Sequence, residues 1–297
     1  MAAVNDAGGI QDPPMVEAGA IEEIAPGVHV IPDGRVEFVP NVGIIEGERA
    51  VLAIDTAMGH LNGRTVLEAA RKLAGDRKVF LTTTHFHPEH AFGAKPFEGG
   101  VTYVINESQA AELAAKGPEY IEMFSTFGPG LAQLLADVEL VPPDLTYEGQ
   151  LRINLGGRAV ELLDVGPAHT RGDQLIWLPQ ERVLFAGDLI ENAFFPILPD
   201  PDANGVWWLE ALDRIAALEP ETVVGGHGAV GGPELIEAFR EYLERVRDRN
   251  AELEAAGTES GEIVTTIEAE VLERYDGWGN EVWIKSAVES FQGSVPS

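Results

Sequence analysis

The chain has 297 residues, of which 45% are hydrophobic, and its 49 acidic and 20 basic side chains give a formal net charge of −29. This charge argues against binding to nucleic acid or to an anionic membrane surface, because both attract basic patches. No apolar stretch approaches the roughly 20 residues that span a bilayer, and the absence of cysteine leaves His, Asp and Glu as the side chains available to a metal.

The N-terminal residues 1–20 are rich in Gly, Pro and Ala and show no apolar periodicity, so we expect a flexible tail. The first residues contain neither the basic region nor the long apolar core of a signal peptide, which favours the cytoplasm. Residues 21–232 are expected to form one domain. Residues 233–297 are expected to form a helical extension that packs on this domain.

The first half of the domain begins with short apolar runs separated by turn residues, a pattern that predicts antiparallel strands. These strands are expected at 28–31, 43–45 and 51–54, and further strands at 78–84 and 101–105. Apolar residues at helical spacing predict helices at 63–73, 108–115 and 119–138, the last interrupted near Gly128.

The second half repeats this alternation of strands and helices. Strands are expected at 151–155, 159–165, 174–178, 183–186 and 222–224. Helices are expected at 207–218, 233–255, 265–275 and 282–291. Two similar halves of this kind indicate an α/β (α+β) fold in which two sheets face each other and helices cover their outer faces.

Three histidines and a glutamate lie together at the end of an apolar strand, in the segment 84–90, THFHPEH. Alternate residues of an extended chain point to the same side, so His85 and His87 share one side. The proline that follows suits the first turn of a helix, and this turn lets Glu89 and His90 face a neighbouring position. Such a set of imidazoles and a carboxylate suits a borderline cation such as zinc.

Three further residues of ligand type each follow an apolar run. His169 lies in the sequence GPAHTRGD, Asp188 in FAGD and His227 in GGHG. The glycines beside Asp188 and His227 permit a tight backbone path near a ligand. Five of the seven histidines of the chain fall into this pattern, so unrelated turn residues are the poorer explanation.

The ordered motifs H-x-H-x-[D/E]-H, GPAHTRGD, FAGD and GGHG resemble those of the metallo-β-lactamase superfamily, over about residues 24–229. The resemblance implies an αββα four-layer sandwich with metals at one edge of the two sheets. Its implied ligands are His85, His87 and His169 for a first metal, and Glu89, His90 and His227 for a second, with Asp188 bridging both. Asp55 matches the strand-end Asp of the family, which orients a metal-bound histidine.

Position 89 departs from the family pattern, in which this residue is usually Asp. The additional methylene of Glu89 moves the carboxylate by about 1.5 Å, which is large against metal–oxygen bonds of about 2.0–2.2 Å. Glu89 therefore either ligates through a different rotamer or hydrogen-bonds a metal-bound water as a general base. If Glu89 acts as a general base, the second metal binds more weakly or is replaced. Two zinc ions per chain are the favoured state, with iron or manganese as alternatives.

These motifs predict a metal-dependent hydrolase that uses a metal-activated hydroxide against an ester-like bond, as in a lactone, thioester, aryl ester or β-lactam. Glu89 or Asp188 would take or relay the proton. Two alternatives stay open: a mononuclear iron oxygenase or redox enzyme on the same fold, and a metal-stabilised binding protein without activity. The full set of seven ligand-type positions favours the hydrolase.

Aromatic stretches near these motifs predict a substrate pocket, although the helical spacing of 120–127 also fits plain core packing. The expected pocket residues are Phe86, Met123, Phe124, Phe127, Phe194 and Phe195. Such a wall favours a small-molecule substrate that is apolar or weakly charged. A homodimer is compatible with the sequence.

Overall fold

The computed structural model describes residues 9–199 and 202–292. Its first sheet has seven strands, which lie side by side in chain order. They are β1 Glu22–Ala25, β2 Val28–Ile31, β3 Val42–Glu46, β4 Ala50–Ile54, β5 Lys78–Thr82, β6 Thr102–Asn106 and β7 Leu145–Tyr147. Strands β1 to β4 pair antiparallel, through short turns except for the loop 32–41 between β2 and β3. Strands β4 to β7 pair parallel because helical segments connect them.

The second sheet has five strands in the order β12-β11-β10-β9-β8. They are β8 Gln150–Asn154, β9 Ala159–Asp164, β10 Gln174–Leu178, β11 Val183–Gly187 and β12 Thr222–Gly225. Neighbours pair antiparallel except β11 and β12, which are parallel across a helical crossover. Strands β9, β11 and β12 therefore run in one direction and end at the same edge.

Eight α-helices complete the described part of the chain. They are α1 Gly59–Ala74, α2 Pro88–Ala91, α3 Glu107–Ser125, α4 Pro129–Leu135, α5 Gly205–Ala217, α6 Pro233–Ala255, α7 Ser260–Arg274 and α8 Ile284–Phe291. No helix among the described residues combines the length and the apolar character that crossing a membrane requires.

Alternation along the strands divides the apolar side chains between two layers of core. In β4, Leu52 and Ile54 enter the cluster between the sheets, whereas Val51 and Ala53 join the cluster that contains α1. The second sheet does the same, with Phe185 pointing inward and Leu184 outward toward α5 to α8. Helices thus cover both outer faces, which confirms the αββα sandwich.

The helices of the C-terminal extension are part of the fourth layer. Phe239 of α6 and Val288 of α8 lie in the same buried cluster as Leu175 and Trp177 of β10 and Trp208 of α5. The extension therefore shares its core with the second sheet over residues 233–292. Residues 293–297 lie outside the described residues.

The structure differs from the sequence prediction at the N-terminus. Residues 9–20 lie against the domain, with Val16 only 6% exposed. The side chain of Asn62 accepts a hydrogen bond from Val16 N and donates one to Pro14 O, both at 2.9 Å. These hydrogen bonds with Asn62 in α1 hold the segment against the domain, so it is not the flexible tail that we expected. Composition alone does not indicate such a contact. Residues 1–8 of that tail lie outside the described residues.

The interruption expected near Gly128 is observed, but the two helices expected at 108–115 and 119–138 are not separated at residues 116–118. Helix α3 is continuous from Glu107 to Ser125 with Pro118 inside it, and α4 starts after Gly128. The buried side chains of Tyr120 and Phe124 join the apolar cluster around Phe86, and this packing compensates for the hydrogen bond that a proline removes. Strands β1 and β7 were not predicted, because their exposed residues show no apolar run.

Candidate metal centre

The predicted ligand residues meet at one edge of the sandwich because each follows the carboxyl end of a strand. His85 follows β5, His169 follows β9, Asp188 follows β11 and His227 follows β12. Gln174, at the start of β10, donates to Thr82 Oγ1 at 2.6 Å and to Thr83 O at 2.7 Å, which ties the two sheets together at this edge. Strand ends of both sheets therefore deliver side chains to one point.

The first ligand group consists of His85, His87, His169 and Asp188, with ligand atoms all within 4.8 Å of one another. The Nδ1 atom of His87 is 3.0 Å from the Nε2 atoms of both His85 and His169. Asp188 Oδ2 lies 3.8 Å from His85 Nε2 and 3.7 Å from His169 Nε2. Ligands of a tetrahedral zinc with bonds of 2.0–2.1 Å lie about 3.3 Å apart, so these spacings fit one ion.

The second ligand group consists of Glu89, His90, Asp188 and His227, again within 4.8 Å of one another. The other carboxylate oxygen of Asp188, Oδ1, lies 3.2 Å from His90 Nε2 and 3.9 Å from His227 Nε2. Asp188 therefore directs one oxygen to each group. The carboxylate of Glu89 reaches the second group despite its additional methylene, so this departure from the family pattern does not remove a ligand position.

Unsatisfied polar atoms indicate what the second group can hold. Glu89 Oε2 is buried and has no hydrogen-bond partner among the described residues, and neither His90 Nε2 nor Asp188 Oδ1, which lie 3.2 Å from each other, has another one there. Buried polar groups are normally paired, and a carboxylate left unpaired in a protein interior is costly. A divalent cation satisfies all three atoms at once, so the donor set fits a metal.

Burial and the charges of neighbouring groups shift the pKa values of these side chains in different directions. Burial opposes protonation of His90, but Asp188 and Asp55 hold its pKa well above the usual value. Burial, assisted by the other histidines of the cluster, lowers the pKa of His85 and His87 well below the usual value, which favours neutral imidazoles. Burial opposes ionisation of Asp188, but His90, His227 and His85 together hold its pKa well below the usual value. Burial raises the pKa of Glu89 to about 7.

Asp55 fixes the orientation of His90 from behind. It accepts hydrogen bonds from Thr84 N at 2.7 Å and Thr84 Oγ1 at 3.0 Å, and its Oδ2 is 2.8 Å from His90 Nδ1. The proton of His90 is therefore held on Nδ1, which leaves Nε2 free to face Asp188. Asp55 adopts a left-handed backbone with φ of 65°, a conformation that Asp tolerates better than most residues.

His169 is held in the same way by the backbone and by Asp173. Its Nδ1 is 2.7 Å from Ile197 O, which leaves Nε2 for the first ligand group. Asp173 accepts hydrogen bonds from His169 N at 2.8 Å, Thr170 N at 2.9 Å and Thr170 Oγ1 at 2.6 Å. Asp173 thus closes the turn that presents His169.

The loop that carries His227 is clamped by two residues from the segment before β3. Asn41 donates to Gly225 O at 3.0 Å and Gly228 O at 2.8 Å, and Asp33 accepts from Gly228 N at 2.8 Å. A Cβ at Gly226 would lie 1.8 Å from Asp188 Oδ1, so a residue without a side chain is required beside the bridging carboxylate.

Sequence reasoning missed these supporting residues. Asp33 and Asn41 look like ordinary turn formers, and Asp173 lies in a motif from which only the histidine was selected. The ring of Tyr120 stacks on His87 with centroids 5.3 Å apart, whereas the spacing of residues 120–127 fitted either core packing or a pocket wall and did not indicate this contact. Glu191 is buried three residues after Asp188. This short separation from Asp188 was the only feature of the sequence that could have indicated it.

Only some of the expected pocket residues lie at an accessible surface. Phe86 and Phe195 are fully buried, so the prediction that they line an open pocket is wrong. Phe86 packs on Tyr120 at 5.0 Å, and Phe195 packs on Tyr242 of the C-terminal extension at 5.4 Å. Phe86 is buried because α3 covers it, and Phe195 is buried because α6 covers it.

The remaining pocket candidates differ in their exposure, and of these Phe194 lies near His227. Met123 is 38% exposed, whereas Phe124 is buried and packs on the tilted ring of Phe127, with centroids 5.1 Å apart, in the apolar cluster around Phe86. Phe194 lies 6.5 Å from His227, measured between ring centroids. The side chain of His227 is 13% exposed, against 1% for His85 and His169, so access to the centre runs past His227.

Comparison with known proteins places this arrangement in a family. The sequence profile of the metallo-beta-lactamase superfamily matches residues 35–227. Over 241 residues, the chain is 25% identical to a linear primary-alkylsulfatase of a Pseudomonas species, covering 69% of this chain and 44% of that protein. It is also 26% identical over 166 residues to the acyl-coenzyme A thioesterase MBLAC2 of Bos taurus, covering 50% of this chain and 58% of that protein.

The match thus spans about half the length of these curated relatives. Among solved structures, a metallo-beta-lactamase family protein of Thermus thermophilus superposes with a TM-score of 0.64 at 20% identity, covering 91% of this chain and 94% of that chain. This likeness concerns the fold. Together with the profile match, which extends across every ligand position, it leads to one assignment: the chain belongs to the metallo-beta-lactamase superfamily.

Proposed function

We propose that this protein is a metal-dependent hydrolase with two zinc ions per chain, which cleaves an ester-like bond of a small, apolar or weakly charged substrate. The observation that carries the proposal is the position of Asp188. One of its oxygens faces His85 and His169, and the other faces His90 and His227. A single carboxylate shared by two complete ligand groups is the arrangement that two adjacent cations need.

The roles of the residues follow from their contacts. His85, His87 and His169 would hold one ion, Glu89, His90 and His227 the other, and Asp188 both. When bound, the ions would lower the pKa of a water from 15.7 to about 7 and polarise the carbonyl oxygen of the substrate. Glu89, whose Oε2 is unpartnered, and Asp188 are the groups placed to accept or relay a proton.

The surroundings support a substrate of low charge. Lys116, a nearby cation, is paired with Glu112 at 2.9 Å and Asp202 at 3.0 Å. The accessible side carries the apolar ring of Phe194 and the guanidinium of Arg35 at 4.7 Å from it, so this side suits an apolar group or a weakly anionic one. The activities of the two relatives, an alkylsulfatase and an acyl-coenzyme A thioesterase, are both hydrolyses of ester-like bonds, which supports the same reaction class here.

The test combines metal content with turnover. Protein purified without added metal is analysed for elements and then assayed on aryl esters, lactones, acyl thioesters, a chromogenic β-lactam and an alkyl sulfate. We expect about two zinc ions per chain and hydrolysis of at least one acyl substrate. In His85→Ala and Asp188→Asn, kcat/KM should fall by more than about 100-fold, since even residues behind metal ligands contribute about 10–100-fold.

His60→Ala is the matched control, because His60 lies apart from the ligand groups and pairs with Asp137 at the surface. Its activity should equal that of the wild type. One iron per chain with oxygen-dependent turnover would replace the proposal by an iron oxygenase. Metal binding without turnover on the whole panel would replace it by a metal-stabilised binding protein.

A further inference from the structure

Glu191 is a buried carboxylate that the roles above do not use. Its side chain is 2% exposed, and neither Oε1 nor Oε2 has a hydrogen-bond partner among the described residues. A carboxyl group in this condition loses its hydration without compensation, which is among the most unfavourable states for a side chain. Among the described residues, no protein atom pairs with this carboxyl group, so a bound cation would stabilise its ionised form.

The backbone around Glu191 is held against the loop of the second ligand group. Asn192 N donates to His227 O at 3.0 Å, and Gly226 N donates to Ile190 O at 3.1 Å. A Cβ at Gly225 would lie 3.3 Å from the Cα of Glu191. Glu191 thus has a fixed position beside the chain segment that delivers His227.

The charged groups that shift the pKa of Glu191 belong mainly to the second ligand group. The groups that affect its ionisation most are Asp188, His90 and Glu89, followed by Asp33. Three of these four are carboxylates, so the protein itself offers Glu191 little positive charge. Burial and these carboxylates raise the pKa of Glu191 well above the usual value. A cation in the second ligand group would reverse this balance.

We propose that Glu191 is an additional carboxylate of the second metal site, which strengthens the binding of a divalent ion there without belonging to the four-residue ligand group. This inference rests on the proposed binuclear function. The second group holds Glu89 where the family usually has Asp, and the backbone of Glu191 lies beside the segment that carries His227, a member of the same group. The first ion, on the other side of Asp188, should depend on Glu191 much less.

The test is titration of the metal-free full chain with Zn²⁺, followed by calorimetry and by a competing chelating dye. We expect two binding steps in the wild type. In Glu191→Gln, which keeps the shape but not the charge, the Kd of the weaker step should rise by at least about tenfold, as for other residues behind metal ligands. The tighter step should change by less than about twofold, and Glu191→Asp should restore part of the loss.

Glu181→Gln is the control. Glu181 also has a buried oxygen without a hydrogen-bond partner, although its other oxygen pairs with Arg158. It lies in the turn between β10 and β11, at the opposite end of β11 from Asp188. Its two Kd values should equal those of the wild type. The melting temperature of each metal-free variant provides a second measurement, and Glu191→Gln should be at least as stable as the wild type.

The outcomes that would contradict the proposal are distinguishable. Two wild-type steps with an unchanged weaker step in Glu191→Gln would overturn the role of Glu191 and leave the binuclear proposal intact. A lower melting temperature of metal-free Glu191→Gln with unchanged zinc binding would show a structural role instead. A single zinc ion in the wild type would overturn the binuclear proposal, and with it this inference.

Discussion

Single side chains behind the histidines determine whether the candidate centre is preorganised. Asp55 holds His90, and Asp173 holds the turn of His169 through three accepted hydrogen bonds. Burial raises the pKa of Asp173 to about 8, against the opposing effect of its hydrogen bonds with Thr170. The neutral acid can still accept both backbone N–H groups through one oxygen, so this turn does not require a charge.

Replacing Asp173 tests this interpretation. In Asp173→Ala, the N–H groups of His169 and Thr170 lose their buried acceptor, and we expect the free energy of unfolding to fall by about 2–4 kcal/mol. Asp173→Asn has the hydrogen-bonding pattern of the neutral acid and should retain most of the stability. Urea denaturation of the metal-free protein measures both changes.

The surface residue Asp137, whose side chain is 74% exposed, offers the control Asp137→Ala, for which we expect a change within about 0.5 kcal/mol. An equal loss of stability in Asp173→Ala and Asp173→Asn would show that Asp173 acts through its charge rather than through its acceptor oxygen.

At the scale of elements, the segment between α7 and α8 connects the C-terminal extension to the entrance of the centre. Phe195 N donates to Gly279 O at 2.9 Å, and Gly279 N donates to Ala193 O at 3.0 Å. Gly279 also packs directly on Phe194, so that a Cβ there would lie 2.7 Å from its ring. The extension therefore positions Phe194 beside His227.

Gly279→Ala should displace the ring of Phe194 because the new methyl group overlaps it. We expect a several-fold increase in KM for an aryl substrate with zinc content unchanged, and a loss of about 1–3 kcal/mol in stability. Steady-state kinetics and metal analysis on the same preparation separate these effects. Gly261→Ala in α7, where a Cβ meets nothing within 4 Å, should be neutral or stabilise by up to about 1 kcal/mol.

A KM for Gly279→Ala equal to that of Gly261→Ala would show that Phe194 does not contact the substrate. A reduced zinc content in Gly279→Ala would instead indicate that the segment supports His227 itself.

At the scale of the whole molecule, the centre joins the two sheets. The segment 84–90 follows the first sheet, whereas His169, Asp188 and His227 follow strands of the second. Without a cation, this junction contains several buried histidines and the carboxylates of Glu89, Asp188 and Glu191. A bound ion should therefore stabilise the association of the two halves in addition to its chemical role.

Removal of metal should lower the melting temperature. A ligand that binds only the folded state at 100 times its Kd adds about 2.7 kcal/mol of stability per site. We expect thermal unfolding to shift upward when Zn²⁺ is added to chelator-treated protein. Ca²⁺ at the same concentration should have little effect, since it prefers oxygen ligands. Coincident unfolding curves with chelator and with zinc would contradict this expectation.

Much of the site was predictable from the sequence, because strand ends and ligand residues are both local features. The apolar runs that precede His85, His169, Asp188 and His227 predicted strands, and strand ends of one direction meet at one edge of a sheet. The order of the motifs predicted the family, which the profile match confirms. Each of these inferences uses only residues that are close together in the sequence, and none requires knowledge of contacts between distant segments.

What only the tertiary structure decided depends on contacts between distant residues. Asn41 donates to Gly225 O across 184 positions, and no periodicity in either segment indicates that pairing. The same holds for the full burial of Phe86 and Phe195 under helices and for the anchoring of residues 9–20 by Asn62. Apolar patterns show which face of an element is buried but not what covers it. The sequence by itself therefore determined the candidate ligands, whereas tertiary packing decided which side chains support them and which remain accessible to a substrate.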